Sequence, residues 1–196
     1  WLLNNVRVSL EEIIDVLHSP HIGDLNKPRT YRKTAHKDFL NFSKSRRPNS
    51  KKIRKATGQQ LRYIRRDFKI IDELIKISPL ELLDKRQYQN LLVSREIYRQ
   101  QLQMYRNKNH SVEDRIVSLH MPFIRPIVRG KTNATVEFGA KLAISVANGY
   151  SYMEHLSFDN FNEAITLKAS VENFKLRFGH FPKAVIADKK YRNREN

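Results

Sequence analysis

Residues 27–69 hold sixteen Lys and Arg against two acids, Asp38 and Asp67, a net of +14 within a chain whose total is +17. Like charges this dense repel, so the stretch is expected to stay extended or mobile unless an anion neutralises it. Its densest part runs from Lys44 to Lys55: Lys44, Arg46, Arg47, Lys51, Lys52, Arg54 and Lys55, with no acid among them. Ser45, Pro48, Asn49 and Ser50 interrupt the run, as in a linker. Phosphate neutralisation with counterion release is the natural use of such a segment, and a solvated charged loop is the plain alternative. Tyr31, Phe39, Phe42, Tyr63 and Phe68 lie among the charges. They are candidates for stacking on bases, although Tyr63 and Phe68 fall at helical spacing and compete for core positions.

The rest of the composition narrows the class. The chain has 196 residues and 40% hydrophobic content, enough for one domain of ordinary size or slightly more. It has no cysteine, which excludes a disulfide scaffold and any cysteine-based zinc site. Mean hydropathy is −0.62, and no apolar run approaches a membrane span. No secretory signal pattern is visible. An intracellular, soluble, basic protein with a polyanion partner is the expectation. The seven histidines are scattered and no Gly-rich phosphate loop or nucleophile motif occurs.

Hydrophobic periodicity sets the elements. Leu2, Leu3, Val6, Leu10, Ile13, Ile14 and Leu17 predict a helix over about 2–17. A basic linker follows, then a second helix over 51–76 marked by Ile53, Leu61, Ile64, Phe68, Ile71 and Ile75. Ser78-Pro79-Leu80-Glu81 reads as the start of a third helix, with Ser78 as its cap, that runs to about 106 and pairs with the second as an antiparallel hairpin. Arg115–His120 alternates like a strand. Val136–Ala147 and Tyr150–Phe158 read as strands joined at Asn148-Gly149, a strong hairpin turn. A helix over 162–178 ends at Gly179. Ala184-Val185-Ile186-Ala187 has the texture of a buried strand, with Asp188 just past its end. A carboxylate there would point into the crevice where α/β sheets bind ligands; a turn residue or helix cap is the plain alternative. Arg125, Arg129 and Lys131 flank Gly130 in a loop suited to gripping phosphates, or merely solvated.

Three blocks carry a family resemblance: Arg125-Pro126-Ile127-Val128-Arg129-Gly130-Lys131, Val136-Glu137-Phe138-Gly139-Ala140-Lys141-Leu142, and Ala187-Asp188-Lys189-Lys190-Tyr191-Arg192 with Arg194-Glu195-Asn196. With them the chain resembles a bacterial insertion-sequence transposase of the DDE class. The resemblance implies an α/β fold: a partial ribonuclease-H-like mixed sheet over 112–196, a basic linker and helical hairpin inserted over 27–111, and a helical segment over 1–26. It implies nicking and transfer of DNA strands with Mg²⁺ or Mn²⁺ held by three acids. Asp188 matches the second acid. The first would precede Trp1 and the third would follow Asn196, so an interior fragment is expected; Asp114 and, more remotely, Glu137 are fallbacks for the first. Lys190 stands where related motifs carry a small or apolar residue. The implied partners are transposon ends and target DNA, with a dimer on DNA one expectation, in a cytoplasmic, nucleoid-associated setting without a membrane. A non-catalytic basic nucleic-acid-binding protein is the alternative.

Overall fold

The computed structural model describes residues 1–128 and 136–192. They fall into two compact units, Trp1–Pro122 and Phe123–Asn196.

The first unit is helical: α1 (Leu2–His18), α2 (Arg32–Ser43), α3 (Ser50–Leu74) and α4 (Lys85–Asn107). Helix α1 is its centre. Val6, Leu10, Ile13, Ile14 and Leu17 are fully buried, and they meet Leu61, Ile64, Ile71 and Leu74 of α3 and Leu91 and Ile97 of α4 in one core. Each such aliphatic side chain stabilises the unit by roughly 1.5–3 kcal/mol. Arg54 reaches the Tyr105 carbonyl at 2.9 Å, and Arg95 pairs with Asp72 at 2.5 Å. The start of α3 therefore meets the end of α4, and the two helices pair antiparallel as the periodicity predicts.

Three local expectations differ in this unit. Helix α2 occupies part of the expected linker, because Ala35 is buried and Phe39 packs edge-on against Trp1 at 5.0 Å. The third helix starts at Lys85, with Asp84 and Gln87 forming the capping box, and Leu80–Leu82 makes only one 3₁₀ turn. Ser78 is not a cap: its buried hydroxyl donates to the Leu17 carbonyl at 2.7 Å and meets His21 Nε2 at 2.8 Å. Residues 115–120 form no strand. Ile116 and Leu119 plug into the helical core, and Gln100 holds this segment by accepting from the Ile116 N–H and donating to the Asp114 carbonyl.

The second unit has two small antiparallel sheets, β1 (Pro126–Val128) with β2 (Val136–Phe138) and β3 (Lys141–Ala147) with β4 (Tyr150–Ser157), followed by α5 (Leu167–Phe178). Gly139, at φ +131°, breaks the single strand expected over 136–147 into β2 and β3. Asn148 and Gly149 take φ of 52° and 81°, the left-handed pair that a two-residue hairpin turn needs. Gly179 caps α5 at φ 77°. Ala143 is buried whereas Leu142, Ile144 and Val146 are exposed, so the small residues of β3 face inward, not the large ones. Glu154 locks the hairpin to α5. Its carboxylate accepts from Ser145, Asn173 and both guanidinium nitrogens of Arg177.

Residues 184–187 are exposed and unpaired, with Ile186 fully exposed, so the buried strand expected there does not form among the described residues. The molecule is thus a mixture of helices and small antiparallel sheets. No helix among the described residues is long and apolar enough to cross a membrane.

Candidate nucleic-acid interface

The structure divides the Lys44–Lys55 run between two settings. Lys44 caps the end of α2, and Arg46 and Arg47 stand exposed in the short loop that follows. Lys51, Lys52, Arg54 and Lys55 lie in the first two turns of α3, not in an extended linker. Asn49 makes this possible: its side chain accepts from the Lys52 N–H at 2.9 Å, a cap worth about 1 kcal/mol. Lys and Arg are good helix formers, and the buried portion of α3 supplies the costly nucleus from which the exposed turns propagate. The arrangement remains electrostatically poor. The first turn of α3 contains Lys51 and Lys52 and no acid, where the helix dipole favours anions by about 0.3–1 kcal/mol per charge.

The seven cations are not equivalent. Arg54 is partly committed to the fold, since it bonds the Tyr105 carbonyl and lies 4.2 Å over the Tyr105 ring. Lys52 reaches Ser45 Oγ at 2.6 Å. Lys44, Arg46, Arg47, Lys51 and Lys55 are exposed and take part in no ion pair among the described residues. Of the aromatic residues, Phe68 packs edge-on against Tyr98, and Tyr63 donates to Asp38 at 2.9 Å. Tyr31 is the exposed one. It stands before α2 at φ 57°, with the Arg66 guanidinium 4.4 Å from its ring and Arg29 at 5.5 Å.

The helical unit also holds a charged cluster that sequence reading missed. Arg7 and Glu11 pair at 2.5 Å inside the unit, and Arg7 also donates to Asn4 at 2.8 Å. Burial pushes Glu11 upward against the pull of Arg7. Arg32 grips both oxygens of Asp15 at 2.7 and 2.9 Å, and with Lys27 this holds the Asp15 carboxyl below its usual range. Asp67 is fully buried, and neither carboxylate oxygen has a hydrogen-bond partner. Burial, and then the nearby Glu11 charge, push it up to about 8 against Arg7, Arg66 and Arg32. The helical phase of Gln60, Ile64, Asp67, Ile71 and Leu74 places Asp67 on the core face of α3, a signal present in the sequence.

Asp188 is exposed and caps the single 3₁₀ turn Lys189–Tyr191, accepting weakly from the Lys190 N–H at 3.4 Å. It borders a cavity of about 560 Å³ between the edge of β3, one face of α5 and residues 182–188. The nearby Glu163 is engaged: Lys190 pairs with it and Lys141 lies 3.5 Å away, which lowers its carboxyl. Asp114 belongs to the first unit, in a left-handed turn at φ 48°. Glu137 lies in β2 opposite Ile127. Among the described residues no three acids or histidines gather to hold a metal. A two-ion centre needs more carboxylates than the one that Asp188 presents. Arg125 is half-buried beside β1, while Arg129 and Lys131 lie outside the described residues. Comparison with family models, with curated proteins and with solved structures finds no match.

Proposed function

We propose that this chain binds DNA, and that it does so as a DDE-class transposase in which Asp188 is one of the catalytic acids. The observation that carries the binding part is the concentration of exposed, unpaired cations at the α2–α3 junction and the start of α3. Bound phosphates would neutralise them and relieve the mismatch with the helix dipole. The catalytic part rests on the three sequence blocks and on Asp188 bordering a cavity. The ribonuclease-H-like sheet and the Mg²⁺ or Mn²⁺ requirement belong to this proposal. A second reading, a non-catalytic nucleic-acid-binding protein, is supported equally well by the exposed cations, which need no catalytic acid.

Two measurements separate these readings: binding by the purified chain, and nicking by a protein that carries all three acids the resemblance implies. Fluorescence anisotropy with a labelled duplex tests binding, and neutralising Lys44, Arg46, Arg47 and Lys51 to Gln is expected to weaken it. Divalent-dependent nicking of supercoiled DNA by that three-acid protein, abolished by Asp188→Ala with binding retained, supports the transposase. Binding without nicking by that three-acid protein supports the second reading, and absence of binding at low salt overturns both.

A further inference from the structure

Helix α3 carries more cation than the Lys44–Lys55 run suggests. Lys51, Lys55, Arg62, Arg65 and Lys69 are all exposed. At 3.6 residues per turn they fall within about 80° of the helix circumference and extend about 27 Å along its axis. The only other residue of this face is Gly58, on which the Tyr105 ring rests: a Cβ at that position would meet Tyr105 Oη at 2.7 Å. No acid interrupts the stripe. The single acid of this length of α3, Asp67, points into the core.

Pairing elsewhere in the unit is selective: Lys33, Lys37, Lys85 and Arg86 are also exposed without an ion pair among the described residues. Arg7, Lys27, Arg32, Lys76, Arg95 and Arg99 each have a carboxylate partner. Among the described residues none of the five stripe residues has one, and none has a hydrogen bond to another side chain. Lys51 with Lys55 and Arg65 with Lys69 are like-charge pairs four residues apart, which oppose helix formation. The helix keeps this repulsive row along one face over about five turns.

We infer that this face of α3 is a docking rail for the phosphate backbone of double-stranded DNA. This inference rests on the DNA-binding reading above and names its surface and the form of its ligand. The row lies along one helix, in two groups on either side of the Tyr105 ring over Gly58, and its length matches about eight base pairs of duplex, which carries one charge per about 1.7 Å of axis. The stripe has no exposed ring of its own to serve as a base-stacking platform, so it lacks what single-strand binders use. It holds only cations, which position a duplex without reading its sequence.

The test measures affinity against salt for the whole chain, with a short mixed-sequence DNA duplex and with the corresponding single strand. The variants are a five-fold stripe variant (Lys51→Gln, Lys55→Gln, Arg62→Gln, Arg65→Gln, Lys69→Gln) and a loop variant (Lys44→Gln, Arg46→Gln, Arg47→Gln). Four to five neutralised phosphates predict that the stripe variant flattens the log–log salt slope by about 4, at −0.9 per phosphate. Its loss on duplex should exceed about 100-fold at about 50 mM salt. Unchanged helical circular dichroism shows that it remains folded, and relief of repulsion should leave its Tm equal or higher. Duplex binding that survives the stripe variant but not the loop variant overturns the rail while leaving DNA binding intact. Tighter binding of the single strand also overturns it. If the unaltered chain binds neither form, the DNA-binding reading itself falls.

Discussion

Replacing Asp67 with asparagine should make the chain more stable near neutral pH, although Asp67 is the most deeply buried acid of the helical unit. Its native pKa of about 8 compares with about 3.9 for an unfolded chain. Between those values the native state holds a proton that the unfolded state has released. Stability therefore falls as pH rises from about 4 to about 8, at up to about 1.4 kcal/mol per pH unit, and levels off above that. The full span sets an upper limit of roughly 5 kcal/mol, a large share of a typical 5–15 kcal/mol. Asparagine is uncharged at every pH but brings an amide whose N–H groups find no partner in the pocket, at a cost of about 1–3 kcal/mol. The expected net gain is roughly 1–3 kcal/mol near pH 8, with little gain or a small loss near pH 5. The assay is urea denaturation followed by helical circular dichroism, at several pH values, for both proteins. Only the difference between them is interpreted, because Glu11 is also raised and contributes to both profiles. Parallel stability curves between pH 5 and 8 would refute the reasoning, since a partnerless buried carboxylate must leave a proton-linked signature.

Other expectations follow from single contacts. Burial raises Glu154, but the hydrogen bonds from Arg177, Ser145 and Asn173 outweigh it and hold the carboxyl at about 2. Its stabilisation is complete above about pH 4.5 and lost as pH falls toward 2. Glu154→Gln should lower the stability of the second unit by about 1–3 kcal/mol at neutral pH, allowing for solvent screening by the partly exposed Arg177, and should abolish that acid transition in a thermal melt. Gly58→Ala should be neutral or destabilising in the native background, where Tyr105 obstructs the new methyl. In a Tyr105→Ala background it should stabilise by about 1 kcal/mol, and a double-mutant cycle by denaturation reads the change of sign. Ser78→Ala removes the bond to the last turn of α1 and the contact with His21, and should cost about 1–3 kcal/mol in the same assay.

Much of the helical unit was legible in the sequence because long 3.6-residue periods allow few readings. Helices α1 and α3 fall close to their predicted spans, whereas α4 and α5 end where expected but start later, at Lys85 and Leu167. The Asn148-Gly149 hairpin was equally legible, because a two-residue turn requires a backbone that few residue pairs adopt. The errors cluster where a local signal competes with a distant partner. Ser78-Pro79-x-Glu81 and Asp84-x-x-Gln87 are both credible helix starts. Ser78 loses because its hydroxyl is drawn to Leu17, sixty-one residues away in sequence. The alternation of residues 115–120 suggested a strand, yet Ile116 and Leu119 point into a helical core that only the packing of α1 and α4 creates.

For the candidate site, residue type alone located the charge and misjudged its form. The run from Lys44 to Lys55 was visible from composition, and repulsion suggested a mobile linker. Asn49 and the buried half of α3 instead hold its second part helical, which lines Lys51 and Lys55 up with Arg62, Arg65 and Lys69. Periodicity could have supplied that alignment, and equally the inward placement of Asp67. Asp188 shows the opposite limit. Its position after an apolar run suggested a strand end, but pairing is a property of neighbours, and residues 184–187 have none among the described residues.

The sequence by itself determined the sign and concentration of the charge, the phase of the helices and the hairpin turn, because each depends on residues close together in the chain. Tertiary structure decided which cations are paired with acids and which stand free, and which acid is buried without a partner. It also decided whether an apolar run becomes a strand. Those outcomes depend on desolvation and on partners distant in sequence, and both exist only once the helices have packed.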